Sequence, residues 1–182
     1  MLVIGIVGMP ASGKGEFSRI AMEMGVPVVI MGDVIRNAVR DAGLPPTDEN
    51  MGRIANQLRK DEGMDAIAHR CVPLVESKDS SLVMIDGIRG DAEVKIFRKA
   101  FPRFRLIGID SEFPLRLARV KARGRSDDFQ TEEELRNRDE REISWGLGRA
   151  LAQADIRLPN NGTLDEYSHD VQALLKKLEE DA

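Results

Sequence analysis

The sequence has 182 residues, 42% hydrophobic and 32% charged, with 27 basic against 31 acidic side chains. That suits one packed domain, and a net charge of −4 offers no basic field for nucleic acid. One cysteine rules out an intrachain disulfide, one cysteine with two histidines rules out a Cys/His zinc site, and no apolar run nears the ~20 residues of a membrane span.

The chain opens on Leu2 to Val7 (LVIGIV), which reads as a strand buried on both faces. A core strand here, not a signal peptide, leads us to expect a cytoplasmic protein. Gly8-Met9-Pro10-Ala11-Ser12-Gly13-Lys14 follows and fits G-x-x-x-x-G-K. Gly15 and Glu16 come next, and Phe17, Ile20, Ala21 and Met24 recur at helical spacing up to a glycine stop at Gly25. Strand, glycine-rich turn and helix start are the context a phosphate-binding loop requires. Gly8 and Gly13 let the backbone come close to a polyphosphate, the free N–H groups of the helix start favour an anion, and Lys14 adds a point charge for the β- and γ-phosphates. Residues 8 to 16 are therefore the candidate ATP contacts. Most such loops carry Ser or Thr after the lysine to ligate Mg²⁺; here Gly15 stands instead, and Glu16 in the first helical turn complements the helix dipole.

Pro27 to Met31 is a second apolar strand, ending in Gly32-Asp33, with a helix expected over 34 to 42 capped by Asp33. After Leu44-Pro45-Pro46, Thr47 caps a helix of about 49 to 62, Gly63 breaks the pattern, and a further helix covers 64 to 77. Cys71 falls in that pattern and reads as a small buried hydrophobe. Leu82 to Ile85 is a third strand, ending in Asp86-Gly87; Asp91 is the expected cap of the next helix. Phe104 to Ile109 is a fourth strand, ending at Asp110. A helix from about Pro114 to Gly124 leads to a polar loop, 125 to 130. Thr131 to Glu134 is a capping box for a long helix to about Gln153, with Gly146 and Gly148 as possible breaks. Asp155 to Leu158 is a weak fifth strand, and Thr163 to Glu166 is a second capping box.

Apolar strands alternating with helices imply an α/β fold with a parallel sheet covered on both faces, and ligands then bind at the carboxyl ends of the strands. Those ends carry the loop 8 to 14, Asp33, Asp86 and Asp110. Arg36 and Arg89 each stand a few residues beyond a strand end, and two guanidinium forks aimed at one point can hold a second phosphate. Taken singly, each also reads as a solvated surface charge. Arg116, Arg119, Arg123 and Arg125 form a basic cluster, followed by Arg136, Arg138 and Arg141 beyond the polar loop. Trp145, the one tryptophan, reads as a core residue.

These motifs resemble the P-loop kinases of the nucleoside-monophosphate kinase group. The Lys14-Gly15 ending with Pro10 inside the loop, GDVIR (Gly32 to Arg36) and DGIRG (Asp86 to Gly90) are similar to adenylate kinase, without that family's proline before Arg89 and with Glu16 where it has a hydroxyl. The resemblance implies a sheet of order 2-3-1-4-5, acceptor-phosphate binding by Arg36 and Arg89, and Asp33 and Asp86 holding water on Mg²⁺. It implies an acceptor-binding helical part at about 33 to 77 and a short arginine-bearing lid at about 123 to 131. In that lid Arg119, Arg123 and a further arginine such as Arg138 would cover the transferred group. Ala154-Asp155 with Asn161-Gly162-Thr163 resembles the end of dephospho-coenzyme A kinases, beside the donor adenine. End to end the chain resembles an archaeal family related to adenylate kinase. The implied reaction is phosphoryl transfer from Mg·ATP to a small phosphorylated acceptor, a nucleoside monophosphate. The alternatives are phosphorylation of a hydroxyl, as on dephospho-coenzyme A, with Asp33 as base, and a nucleotide-binding regulator with slow hydrolysis, for which Glu16 is the one favouring feature. No nucleic acid or membrane partner is expected.

Overall fold

A computed structural model describes residues 1–123 and 131–182, with the side chains of Asp48 and Arg123 outside the described set. Arg125 and most of the expected lid thus lie outside the described residues.

The first strand, β1 (Leu2–Gly8), is buried along its whole length. It forms the centre of a five-stranded, all-parallel sheet of order β2-β3-β1-β4-β5, the order expected. Its neighbours are β3 (Leu82–Asp86) and β4 (Phe104–Asp110), and the edges are β2 (Val28–Ile30) and β5 (Ile156–Pro159). Parallel strands need crossovers, and the chain supplies helices on both faces. One face packs α1 (Lys14–Glu23) and α9 (Leu164–Glu180) through Phe17, Ile20, Tyr167 and Val171 against Ile4 and Ile6. The other packs α2 (Met31–Asp41), α3 (Asp48–Glu62), α4 (Ala66–Glu76), α5 (Asp91–Ala100) and the later α8 (Leu147–Ala152) on Val3, Val7 and Ile85. Alternate residues of β1 thus feed two separate cores. Cys71 is fully buried in the second, where burial pushes its thiol up to about 12.

Helix α6 (Phe113–Arg123) and helix α7 (Glu132–Ser144) flank residues 124–130. Both expected capping boxes form, at Thr131 and at Thr163. The long helix expected to Gln153 is split at Trp145-Gly146, where Gly146 takes φ 103°, while Gly148 sits inside α8 without interrupting it. Two boundaries differ from expectation. Helix α2 begins at Met31, whose side chain is buried, so Asp33 is a first-turn residue and not the cap. Helix α5 is capped at its backbone by Gly90, and the carboxylate that serves its start is Glu93, which accepts the Arg89 N–H at 2.6 Å.

Candidate functional site

The loop after β1 is built from two left-handed residues, Ala11 (φ 61°) and Gly13 (φ 111°), which curl the chain so that Lys14 opens α1. The Lys14 ammonium donates back into the loop, to Gly8 O at 2.5 Å and Met9 O at 3.0 Å. Burial, with Arg89 next, lowers its pKa to about 7, against the opposing pull of Glu142 and Asp86. Gly15 has open space where a side chain would stand and lines the adjoining cavity. Three side chains brace the loop from behind. Asn160 Nδ2 donates to Ser12 O at 2.9 Å, the Tyr167 hydroxyl to Gly13 O at 3.2 Å, and Arg116 Nη1 to Pro10 O at 3.0 Å. A side chain at Gly13 would stand 2.3 Å from Asn160 Nδ2, so the glycine is fixed by close approach as well as by its φ.

Asp86 ends β3 beside this loop, and its Oδ2 lies 2.8 Å from the Ser18 hydroxyl of α1. Beyond it Ile88 is fully buried over Gly5, which anchors the Asp86–Gly90 turn and leaves Arg89 facing outward. Arg89 Nη1 donates to Glu142 Oε2 at 2.9 Å, and Arg138 Nε donates to Glu142 Oε1 at 2.9 Å. Glu142 is 2% exposed, and Arg89, Arg138 and Lys14 hold its pKa below the ordinary value despite burial. One buried carboxylate therefore gathers two guanidiniums from different elements next to the loop lysine.

Arg89 and Arg138 form the wall between two cavities. The first, of about 480 Å³, is lined by the loop, Glu16, Arg19 and Arg119. The second, of about 490 Å³, is lined by Arg59, Arg141, Trp145 and the α3 residues Gly52 and Ala55. In the first, Glu16 is held by Arg19 Nε at 3.1–3.2 Å, which lowers its pKa. Arg119 donates to Ser111 Oγ at 2.8 Å and to Asn160 O at 2.8 Å, which fixes it at the β5 end.

The expected site residues divide accordingly. The loop, Asp86, Arg89, Arg119 and Arg138 come together. Arg36 bonds Asp33 one turn away on α2, both half-exposed, and neither lines the cavities described. Arg116 is 4% exposed and bidentate to Asp139 at 2.6 and 2.9 Å, a tie between α6 and α7 and not a surface charge. For Arg123 only the backbone, at the end of α6, is described. Trp145 is half-buried on the wall of the second cavity and not in the core. Sequence reasoning missed Glu142, Arg59, Glu93 and Tyr167. The i, i+4 spacing of Arg138 and Glu142 was available as a signal, but on a highly charged helix it reads as solvated.

A family model described as AAA domain matches residues 7–136. A UPF0200 protein from Methanoculleus marisnigri is 61% identical, covering 98% of this chain and 97% of the relative. Another from Methanothermobacter thermautotrophicus is 41% identical over 99% and 92%. Among solved structures, TT1252 from Thermus thermophilus superposes with TM-score 0.67 at 17% identity, covering 97% of each chain. A shikimate kinase from Aquifex aeolicus gives TM-score 0.56 at 17% identity over 96% of each. A gluconokinase from Sinorhizobium meliloti gives 0.57 at 16% over 99% and 94%. At these identities the structural likeness is one of fold, a P-loop kinase fold.

Proposed function

This chain belongs to the UPF0200 family and carries an AAA domain, and from that premise we propose that it is a kinase passing the γ-phosphoryl of Mg·ATP to a nucleoside monophosphate. One observation carries the reading: the cavity beside the phosphate-binding loop and the second cavity share Arg89 and Arg138 as a common wall. Two bound anions meeting at a pair of guanidiniums is the arrangement phosphoryl transfer needs.

In this reading Lys14 leaves the Gly8 and Met9 carbonyls for the β- and γ-phosphates, and the loop amides hold the rest of the donor. Arg89 faces the acceptor phosphate and Arg138 the transferred group, both kept in place by Glu142. Arg119 covers the donor side from the β5 end, and Arg123, whose side chain lies outside the described set, is assigned with it from the sequence alone. The bond from the γ-phosphorus to the bridging oxygen breaks, ADP leaves with its electron pair, and an anionic acceptor oxygen forms the new bond without a general base. Mg²⁺ arriving with the nucleotide supplies charge neutralisation on the transferring group. Asp86, at a strand end beside Lys14, would hold water on that ion. Asp33 and Arg36, in the acceptor-binding part of about 33 to 77, would join only after their own ion pair opens.

Hydroxyl phosphorylation is the second reading, and the resemblance of Ala154-Asp155 and Asn161-Gly162-Thr163 to the end of dephospho-coenzyme A kinases favours it. It needs a carboxylate base, and Asp33 is occupied by Arg36. The test is ATP consumption with Mg²⁺ against AMP, CMP, UMP, GMP, dTMP and dephospho-coenzyme A. Stimulation by one monophosphate is expected, and Arg89→Ala should then raise the acceptor KM more than the ATP KM. Stimulation by dephospho-coenzyme A alone would replace the reading with the second one. ATP binding without stimulation by any acceptor would leave a regulator.

A further inference from the structure

The second cavity holds a cation that the transfer reading does not use. Arg59 comes from the last turn of α3, and its side chain is only 12% exposed. Burial lowers its pKa most, Glu93 opposes that, and the field of Arg89 adds to the lowering. Its nearest carboxylate is Glu93, at 3.8 Å, too long for a hydrogen bond. Glu93 is already engaged, since it accepts the Arg89 backbone N–H at 2.6 Å. A guanidinium drawn out of water against a single ion pair that long is only partly compensated, and an anion entering the cavity it lines adds to that compensation.

Trp145 strengthens the case. Arg59 and Arg141 lie 5.6 and 5.7 Å from the centroid of its ring. Such contacts orient a guanidinium while leaving its N–H edge available to a ligand. Both arginines line the second cavity, together with Arg89 and Arg138. Four arginines against the one carboxylate on that lining, Glu142, suit an anionic ligand such as a phosphate monoester.

We infer that Arg59, together with Arg89 and beside Trp145, forms the anion-binding subsite of the second cavity, and that its ligand is a phosphate monoester. The inference deepens the kinase reading, from which it takes the name of acceptor cavity, and it moves the grip on the acceptor phosphate from Arg36 to Arg59.

Trp145 is the one tryptophan, so its fluorescence reports this wall alone. The loop is first filled with Mg²⁺ and a non-hydrolysable ATP analogue, and the full chain is then titrated with methyl phosphate and, separately, acetate. Methyl phosphate should give a saturable response at concentrations where acetate gives little. Losing a charge-assisted hydrogen bond is worth about 10- to 100-fold in affinity, so Arg59→Met should weaken methyl phosphate at least tenfold. Arg36→Met should stay within twofold. Should Arg59→Met fail to bind the ATP analogue, Arg59→Lys decides: it keeps the charge but loses the fork, and several-fold weakening is expected. No saturable response in the wild type, or unchanged affinity in the Arg59 variants, overturns the subsite. The titration needs no turnover. A surviving Arg59 response with no acceptor-stimulated ATP consumption sinks the kinase reading alone, and stimulated consumption without that response sinks the subsite alone.

Discussion

A lysine that gives up its proton near neutral pH must recover it when a polyanion arrives. Lys14 titrates at about 7 in the ligand-free loop because burial and Arg89 outweigh Glu142 and Asp86. Bound phosphates restore the charged form, so above pH 7 binding takes up a proton. Affinity for a Mg·ATP analogue should therefore be flat below pH 7 and fall as pH rises, by up to tenfold per unit. Calorimetry at pH 8 in two buffers of different ionisation enthalpy should find close to one proton taken up per nucleotide. Zero uptake would mean that Lys14 is charged throughout. Folding carries the same linkage with its own sign. The unfolded lysine holds its proton up to 10.5 and the folded one only to about 7, so this residue lowers stability progressively as pH falls across that window. At this scale the sequence made Lys14 and Gly13 legible, because a phosphate loop is a local pattern. Glu142 and Arg59 were not, because what singles them out is distance from other side chains: 2.9 Å to two arginines for one, 3.8 Å to the nearest carboxylate for the other.

Helices and loops were legible where local chemistry decides them. Thr131 and Thr163 each form the capping box their spacing announces. The start of α2 was not, since burial of Met31 extends the helix past what a glycine and an aspartate suggest. The break between α7 and α8 was visible as Gly146, but its purpose appears only in three dimensions. A side chain at Gly146 would stand 2.4 Å from Asp91 Oδ1, and one at Gly90 would stand 2.5 Å from Trp145 O. The Arg89 turn is thus pressed against the break that carries Trp145, one turn after Glu142 of α7. Gly146→Ala combines an αL penalty with that clash and should destabilise the fold by about 1–3 kcal/mol. It should also weaken methyl phosphate at Trp145 while the ATP analogue binds as before. Urea unfolding and the fluorescence titration read the two effects. Unchanged stability would mean that the turn and the break are not tightly packed.

Across the whole molecule, the alternation of apolar strands and helices was enough to read the sheet, and the strand order came with the resemblance. Neither could say how the site is held together, because the braces run between residues far apart in the sequence. Asn160 reaches back to Ser12, Tyr167 to Gly13, and Glu142 to Arg89. The loop follows β1, which serves both cores, so ligand binding there is coupled to unfolding of the whole sheet. At a hundredfold excess over its Kd, a Mg·ATP analogue should add about 2.7 kcal/mol. For a chain of this size that is a rise of roughly 5–11 °C in Tm. Lys14→Ala tests whether the gain comes from the phosphate contact. Its ligand-free Tm should stay within a few degrees of wild type, since the lost bonds to Gly8 O and Met9 O are offset by removal of a desolvated charge. The ligand-induced rise should largely vanish. A variant that melts far lower without ligand, yet keeps the full rise with it, would make Lys14 a structural strut and return the loop to a simple glycine turn.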